Sequence, residues 1–183
     1  LERFHNRCDT TLASSETVHS QIRELGINNI QNISRGIDTV KFNPGFRDQA
    51  LRRVWGVENG HRVALFVSRL APEKNPELLF LTFKKMRHAA PWLKLEVVGD
   101  GPVREKYQRA HPEVVFCGTR TGEDLSRHYA SADLFIFPSL SETYGLVVAE
   151  AMASALPVIG FDYAAPASLI ESGVNGWLTP YGQ

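Results

Sequence analysis

Cysteine is scarce in this chain: Cys8 and Cys117 are the only two among 183 residues. That is too few for a disulfide framework, and it points to reduced thiols in a cytoplasmic protein. Charge of one sign is also missing. Lys plus Arg and Asp plus Glu both total 20, giving a formal net charge of zero, so nothing in the balance favours a nucleic-acid partner. No apolar run approaches membrane-spanning length and no signal peptide is visible; the expected place is the cytoplasm, with peripheral contact at the inner membrane face left open. There is no internal repeat, no Gly-x-Ser-x-Gly elbow and no Gly-x4-Gly-Lys phosphate loop. The six histidines, His5, His19, His61, His88, His111 and His128, have no ligand spacing, and no cysteine–histidine cluster in the sequence suggests a metal. The aromatics have no basic interleaving of the kind that makes a stacking surface for bases.

What remains is the composition of a globular protein, with 43% hydrophobic and 22% charged residues. The order of the pattern is informative. Short runs rich in Val, Leu, Ile and Phe (63–67, 93–98, 114–116, 134–137 and 158–161) alternate with helical stretches (76–88, 103–109, 121–131, 143–156 and 166–171). Thr121 and Asp124 have the spacing of a capping box for the third of these helices. Alternation of this kind predicts an α/β fold: a Rossmann-like, doubly wound parallel sheet covered by helices on both faces. A strand, a helix capped by Ser14 or Ser15, and a second strand occupy residues 10–34. The stretch Arg35-Gly36-Ile37-Asp38 to Phe42-Asn43-Pro44-Gly45 then reads as a linker. The expected division is residues 1–44 as the tail of one domain with its linker and 45–183 as a second domain. The first residue is Leu, and the chain stops just after a strand-like Gly-Trp-Leu, so both ends are expected to be cut from something longer.

Ligands of a doubly wound sheet bind beyond the carboxyl ends of its strands, and the unusual residues fall there. Arg69 and Lys74 follow the strand at 63–67 and suit a diphosphate, Arg as a planar fork of donors and Lys as a point charge. A solvated loop with an Arg69–Glu73 salt bridge is the alternative. Gly99-Asp100-Gly101-Pro102 follows the next strand. It either lets backbone approach a flat base or ribose or is a plain strand-to-helix turn, and the two readings are compatible. Its Gly99-x-Gly101 lacks a third glycine, since Arg104 stands there, which argues against a nicotinamide site. Cys117-Gly118-Thr119 follows the third strand.

The stretch Asp133–Pro157 is the most informative. Glu150 is the one charge between Thr143 and Leu156, in a helix apolar enough to be buried on most sides, and an ionised group there needs a partner or a cleft. Glu142 lies in the loop before it. Were the interval all helix, the two carboxylates would stand about 12 Å apart along the axis. That exceeds the separation of about 5–9.5 Å in glycoside-hydrolase pairs and suits a grip on separated hydroxyls of one long polar ligand. Gly145, Leu146 and Val147 sit at the helix start, where free amides and the helix dipole attract phosphate.

The set Ser68-Arg69-Leu70 with Glu73-Lys74-Asn75, then Gly99-Asp100-Gly101-Pro102, then Glu142-x7-Glu150 with Glu150-Ala151-Met152-Ala153 and Pro157-Val158, resembles the nucleotide-sugar domain of glycosyltransferase family 4. The resemblance extends from about Ile33 to Trp177. It implies a retaining enzyme with the two-Rossmann-domain GT-B fold, of which this chain holds mainly the C-terminal donor half. Position by position it implies Arg69 and Lys74 on the donor diphosphate, Glu150 on the ribose hydroxyls and Glu142 near the transferred sugar. It puts Gly145, Leu146 and Val147 at the sugar and distal phosphate, and Gly101 and Thr119 bordering ribose and base. The implied catalytic set is thus Glu142, Arg69 and Lys74, with no essential metal or cofactor. The implied partners are a UDP- or GDP-linked sugar and, through the other domain, a carbohydrate or lipid-linked acceptor, with mannosyl transfer hinted at. A lone donor half is expected to bind donor weakly and to transfer nothing. A nucleotide-sugar epimerase or a phosphorylase on the same fold, and a non-catalytic nucleotide-binding module, are the competing readings. Ala155 stands where the family often has Gly, a position strained if its φ is positive. Asp162-Tyr163-Ala164-Ala165-Pro166 replaces a small Gly-Gly turn.

Overall fold

The computed structural model of the protein describes residues 2–33, 36–141 and 145–182. Two parallel sheets form. The smaller pairs β1 (Thr11–Ala13) with β2 (Ile30–Asn32) across helix α2 (Glu16–Glu24), whose N-cap Ser15 accepts from the Val18 amide at 3.3 Å. A short helix α1 (Glu2–His5) precedes them, an element without a sequence signal.

The larger sheet has six parallel strands: β3 (Arg62–Val67), β4 (Leu93–Val98), β5 (Val115–Gly118), β6 (Leu134–Phe137), β7 (Val158–Phe161) and β8 (Gly176–Thr179). Their order is β5-β4-β3-β6-β7-β8, so the winding reverses between β3 and β6. The helices are α3 (Gln49–Val54), α4 (Pro76–Ala89), α5 (Arg104–Ala110), α6 (Gly122–Ser131), α7 (Leu146–Ala153) and α8 (Ala164–Leu169). Alternation along the strands feeds two cores. Val63, Leu65, Val67, Phe135 and Phe137 pack with Tyr129 of α6 and with Val148 and Ala151 of α7. Ala64, Phe66, Leu95, Val97 and Ile136 pack on the other face with Leu79, Phe80 and Phe83 of α4. Both faces are dry, as a doubly wound sheet requires.

At the amino ends of β3 and β6 the sheet is held by charge. The Asp133 carboxylate accepts from the Val63 amide at 2.9 Å, from Arg52 at 2.8 Å and from Arg47 at 2.7 Å. Burial raises the pKa of Asp133, but the bonds from Arg52, Arg47 and the Val63 amide outweigh it and the net shift is downward.

Four local expectations change. Thr121 caps α6 by position, but its side chain makes no capping hydrogen bond; Asp124 instead pairs with Arg120 at 3.3 Å. Cys117 and Gly118 belong to β5 rather than to the loop after it, and α8 begins at Ala164, two residues early. The apolar helix α7 fully buries only Val148 and Ala151, because its other side flanks an open cleft. Ala155 has φ +61°: its amide bonds to Met152 O at 2.9 Å and the Leu156 amide to Ala151 O at 3.0 Å. This is the left-handed, glycine-favouring stop of a Schellman motif.

Two stability predictions follow from these contacts. Asp133→Ala leaves Arg52 buried without its partner and costs about 3 kcal/mol in urea-unfolding measurements; a change within 0.5 kcal/mol contradicts the assignment. Ala155→Gly relieves a left-handed alanine and stabilises by about 1 kcal/mol net of unfolded-state entropy, read as a raised urea midpoint.

Candidate nucleotide-sugar site

The strand order opens a crevice where β3 and β6 part, beyond their carboxyl ends. The loop after β3, residues 68–75, forms one wall. It ends in a turn of 3-10 helix (Pro72–Lys74) and in Asn75, whose left-handed backbone (φ 52°) and side chain cap α4. The loop after β6 forms the other wall. The two are joined directly: the Leu140 amide donates to Glu73 O at 3.2 Å, and Lys74 Nζ donates to Ser141 O at 3.3 Å. Arg69 is exposed on the rim and pairs with Glu73. The salt bridge weighed as an alternative role is therefore present, and it leaves the guanidinium within reach of solvent or ligand.

The loops after β4 and β5 continue the row. Gly99 donates to Gly118 O at 2.8 Å, and Leu70 donates to Asp100 O at 2.9 Å. The two glycines are needed for an approach to protein rather than to ligand. A Cβ on Gly99 (φ +131°) would lie 1.9 Å from Ser68 O, and one on Gly101 2.3 Å from Leu70 O. The close packing sets the Gly101 turn against Leu70, next to Arg69 in the chain, and ties the Gly99 turn to Gly118, next to Thr119. Asp100 accepts from the Gly101 amide and from Arg104, and both hold its carboxyl below the ordinary Asp range.

Gly145 enters α7 in a left-handed conformation (φ 69°) and offers no side chain to cap the helix, whose first residues are Leu146 and Val147. Glu150 lies on the second turn. It is half-buried and accepts from the buried Tyr129 hydroxyl at 2.8 Å. Burial raises its pKa, opposed by the Tyr129 bond and by the charge of Lys41. Tyr129 meets the Phe42 ring edge-on, and the Lys41 ammonium lies over the Phe42 ring. Tyr129 and Lys41 carried no sequence signal of their own; a tyrosine on the inward stripe of a helix reads as core. Glu142 lies outside the described residues, and so does the expected spacing between the two carboxylates.

Next to Glu150, Ala149 lines a cleft of about 660 Å³. Its walls are Ser14, Glu16, Asn32 and Ile33 of the small-sheet unit on one side and Ala164, Ala165 and Ser168 of α8 on the other. Ala164 is left-handed (φ 51°) at the turn where the sequence replaces a glycine pair. Among the described residues, no helix is long and apolar enough to cross a membrane.

A six-stranded, doubly wound parallel sheet with cations on the loop after β3 and a half-buried carboxylate on α7 is a Rossmann-like domain. The family model described as "Glycosyl transferases group 1" matches residues 61–183, and the chain belongs to that family. It is 39% identical over 178 residues to the GDP-mannose-dependent alpha-mannosyltransferase of Corynebacterium glutamicum, covering 97% of this chain and 42% of that protein. It is 38% identical over 183 residues to the Mycobacterium tuberculosis protein of the same name, covering 100% and 47%. The chain thus spans less than half the length of these curated relatives. The crystal structure of Anabaena HepE in complex with UDP and glucose superposes with a TM-score of 0.83 at 26% identity, over 100% of this chain and 52% of that one. Together with the parallel sheet, these likenesses give the chain a GT-B glycosyltransferase fold.

The raised Glu150 pKa has a directional consequence. The folded chain holds this proton more tightly than the unfolded chain. The stability it contributes is therefore complete below the ordinary Glu value of 4.5 and lost as pH rises through the higher folded value. Glu150→Gln should remove that loss, raising the thermal midpoint at neutral pH while weakening nucleotide affinity about tenfold. A lowered midpoint with unchanged affinity contradicts the role given to Glu150.

Proposed function

We propose that this chain is the donor-binding part of a retaining glycosyltransferase. It binds a nucleoside-diphosphate sugar and, within the longer protein, passes the glycosyl group to a carbohydrate or lipid-linked acceptor. The observation that carries the reading is the joining of the two switch-point loops by Lys74 and Leu140, with Lys74 bonded to Ser141 of the loop that precedes α7 in the chain. As the nucleoside diphosphate leaves, negative charge grows on its oxygens. Arg69 and Lys74 neutralise it, while the amides of Leu146 and Val147 meet the distal phosphate and the sugar. These groups supply the electrostatic stabilisation without an essential metal. Glu150, oriented by the Tyr129 hydroxyl, accepts from the ribose hydroxyls, and Gly101 and Thr119 border ribose and base. Glu142 takes the sugar hydroxyls. Retention of configuration rests on the Glu142-x7-Glu150 resemblance.

GDP-mannose is the favoured donor, because two relatives near 40% identity carry it in their names; the UDP complex of HepE makes a UDP-sugar the comparison to run. The acceptor is taken to enter through the cleft between α8 and the small-sheet unit, which adjoins Glu150 and Ala149. Residues 1–44 are assigned to the acceptor-side domain, residues 45–183 to the donor domain, and the protein to the cytoplasm, with the inner membrane face as the place where a lipid-linked acceptor would be met.

A thermal-shift titration with GDP, UDP, ADP and their sugars tests the reading by mass action. The expected result is a raised midpoint with GDP and GDP-mannose, and an affinity about tenfold or more weaker in Arg69→Ala, as for loss of a charge-assisted hydrogen bond. A shift with UDP alone replaces the donor. Unchanged affinity in Arg69→Ala removes Arg69 from the diphosphate.

A further inference from the structure

Beneath α6 the fold assembles a group that the donor site does not use. Glu96 of β4 is fully buried. Its Oε1 accepts from the Cys117 thiol of β5 at 3.1 Å and is bonded by His128 Nδ1 of α6. One ligand-type atom from each of the three residues lies within 4.8 Å of the others. The Trp55 ring packs on the imidazole, with ring centres 5.5 Å apart, and His128 Nε2 faces the Asp124 carboxylate at 3.8 Å.

Hydrogen bonding within the group does not satisfy it. Glu96 Oε2 is buried with no partner, which is costly for a carboxylate. Burial pushes both the Glu96 carboxyl and the Cys117 thiol up, toward their protonated forms.

We propose that Glu96, Cys117 and His128 form a buried structural site for a zinc-class divalent cation. Thiolate, imidazole and carboxylate together select zinc over magnesium or calcium. Zinc bonds of about 2.0–2.3 Å put tetrahedral ligand atoms about 3.3–3.8 Å apart, so small side-chain shifts close the group around an ion. Glu96 Oε2, buried without a hydrogen-bond partner, leaves the carboxylate able to turn either oxygen to the ion. On binding, the Cys117 thiol and the Glu96–His128 pair release their protons to buffer. Two anionic ligands and one neutral imidazole then balance the ion's two charges, so the buried centre stays neutral as the ion replaces two protons. Asp124 faces the second imidazole nitrogen, the outer-shell partner a ligating histidine uses for orientation. The ion would pin β4, β5 and α6 together under the loops that carry Gly101 and Thr119. This site is independent of the donor reading.

The test uses the chain with Cys8, the other and exposed cysteine, changed to Ser. The protein is refolded under reducing conditions with zinc in twofold excess, so that burial does not bar entry. The expected result is one zinc per chain after gel filtration, a raised thermal midpoint, and at least a tenfold loss of zinc affinity against a chromophoric chelator in Cys8→Ser/Cys117→Ser. Cobalt in place of zinc gives the Cys8→Ser chain a thiolate-to-metal charge-transfer band, a readout that needs no second variant. No zinc uptake by the Cys8→Ser chain, a cobalt complex without the thiolate band, or undiminished affinity in the double variant overturns the proposal.

Discussion

Asp133 sits where the sheet reverses its winding. Its carboxylate takes the Val63 amide at the foot of β3 while starting β6 itself, and two arginines from the segment before the sheet close on it. β3 and β6 are the only neighbouring pair in the sheet whose chain neighbours run away in opposite directions. No connecting helix holds that pair together, and only two residue pairs put it in register. A charged clamp at one end leaves the other end free to part, and the parting is the crevice. The desolvation cost of the clamp is met by three donors, so the arrangement is strict: losing either side leaves a buried charge.

At the open end the constraints are steric. Gly99 and Gly101 bring one loop onto the backbone of the next at distances no Cβ tolerates, and hydrogen bonds link the row of loops from Gly118 to Ser141. Strain is held nearby. Ala155 and Ala164, at the end of α7 and the start of α8, keep left-handed conformations that glycine would adopt freely. Glu150 also costs stability at neutral pH, where burial opposes its charge. These costs cluster around α7, the helix that faces the cleft, as expected where binding rather than packing sets the residue.

Much of this was legible in the sequence. Short apolar runs alternating with helices marked the parallel sheet, because strands buried on both faces must be apolar throughout. Arg69, Lys74 and Glu150 stood out because charge at strand ends or in an apolar helix needs a reason. Contacts between distant segments were not legible. Glu96 lies 21 residues from Cys117 and 32 from His128, and only the register of β4 on β5 under α6 unites them. The partner of the Gly99–Gly101 turn was equally hidden: a glycine signals close approach without saying to what. Thr121 and Asp124 had the spacing of a capping box, but a neighbouring arginine took the carboxylate. The sign of φ at Ala155 emerged only from the hydrogen bonds that end α7.

Amide hydrogen exchange on the chain with and without GDP is the most direct measure of whether the switch-point crevice is the nucleotide site. It reads the backbone donors themselves, whatever side chains contribute. The account predicts slowed exchange at Leu146 and Val147 and across residues 69–75, with lesser protection at Gly101 and Thr119 and none on α4. Exchange unchanged at the start of α7 while GDP binds elsewhere on the chain would contradict it.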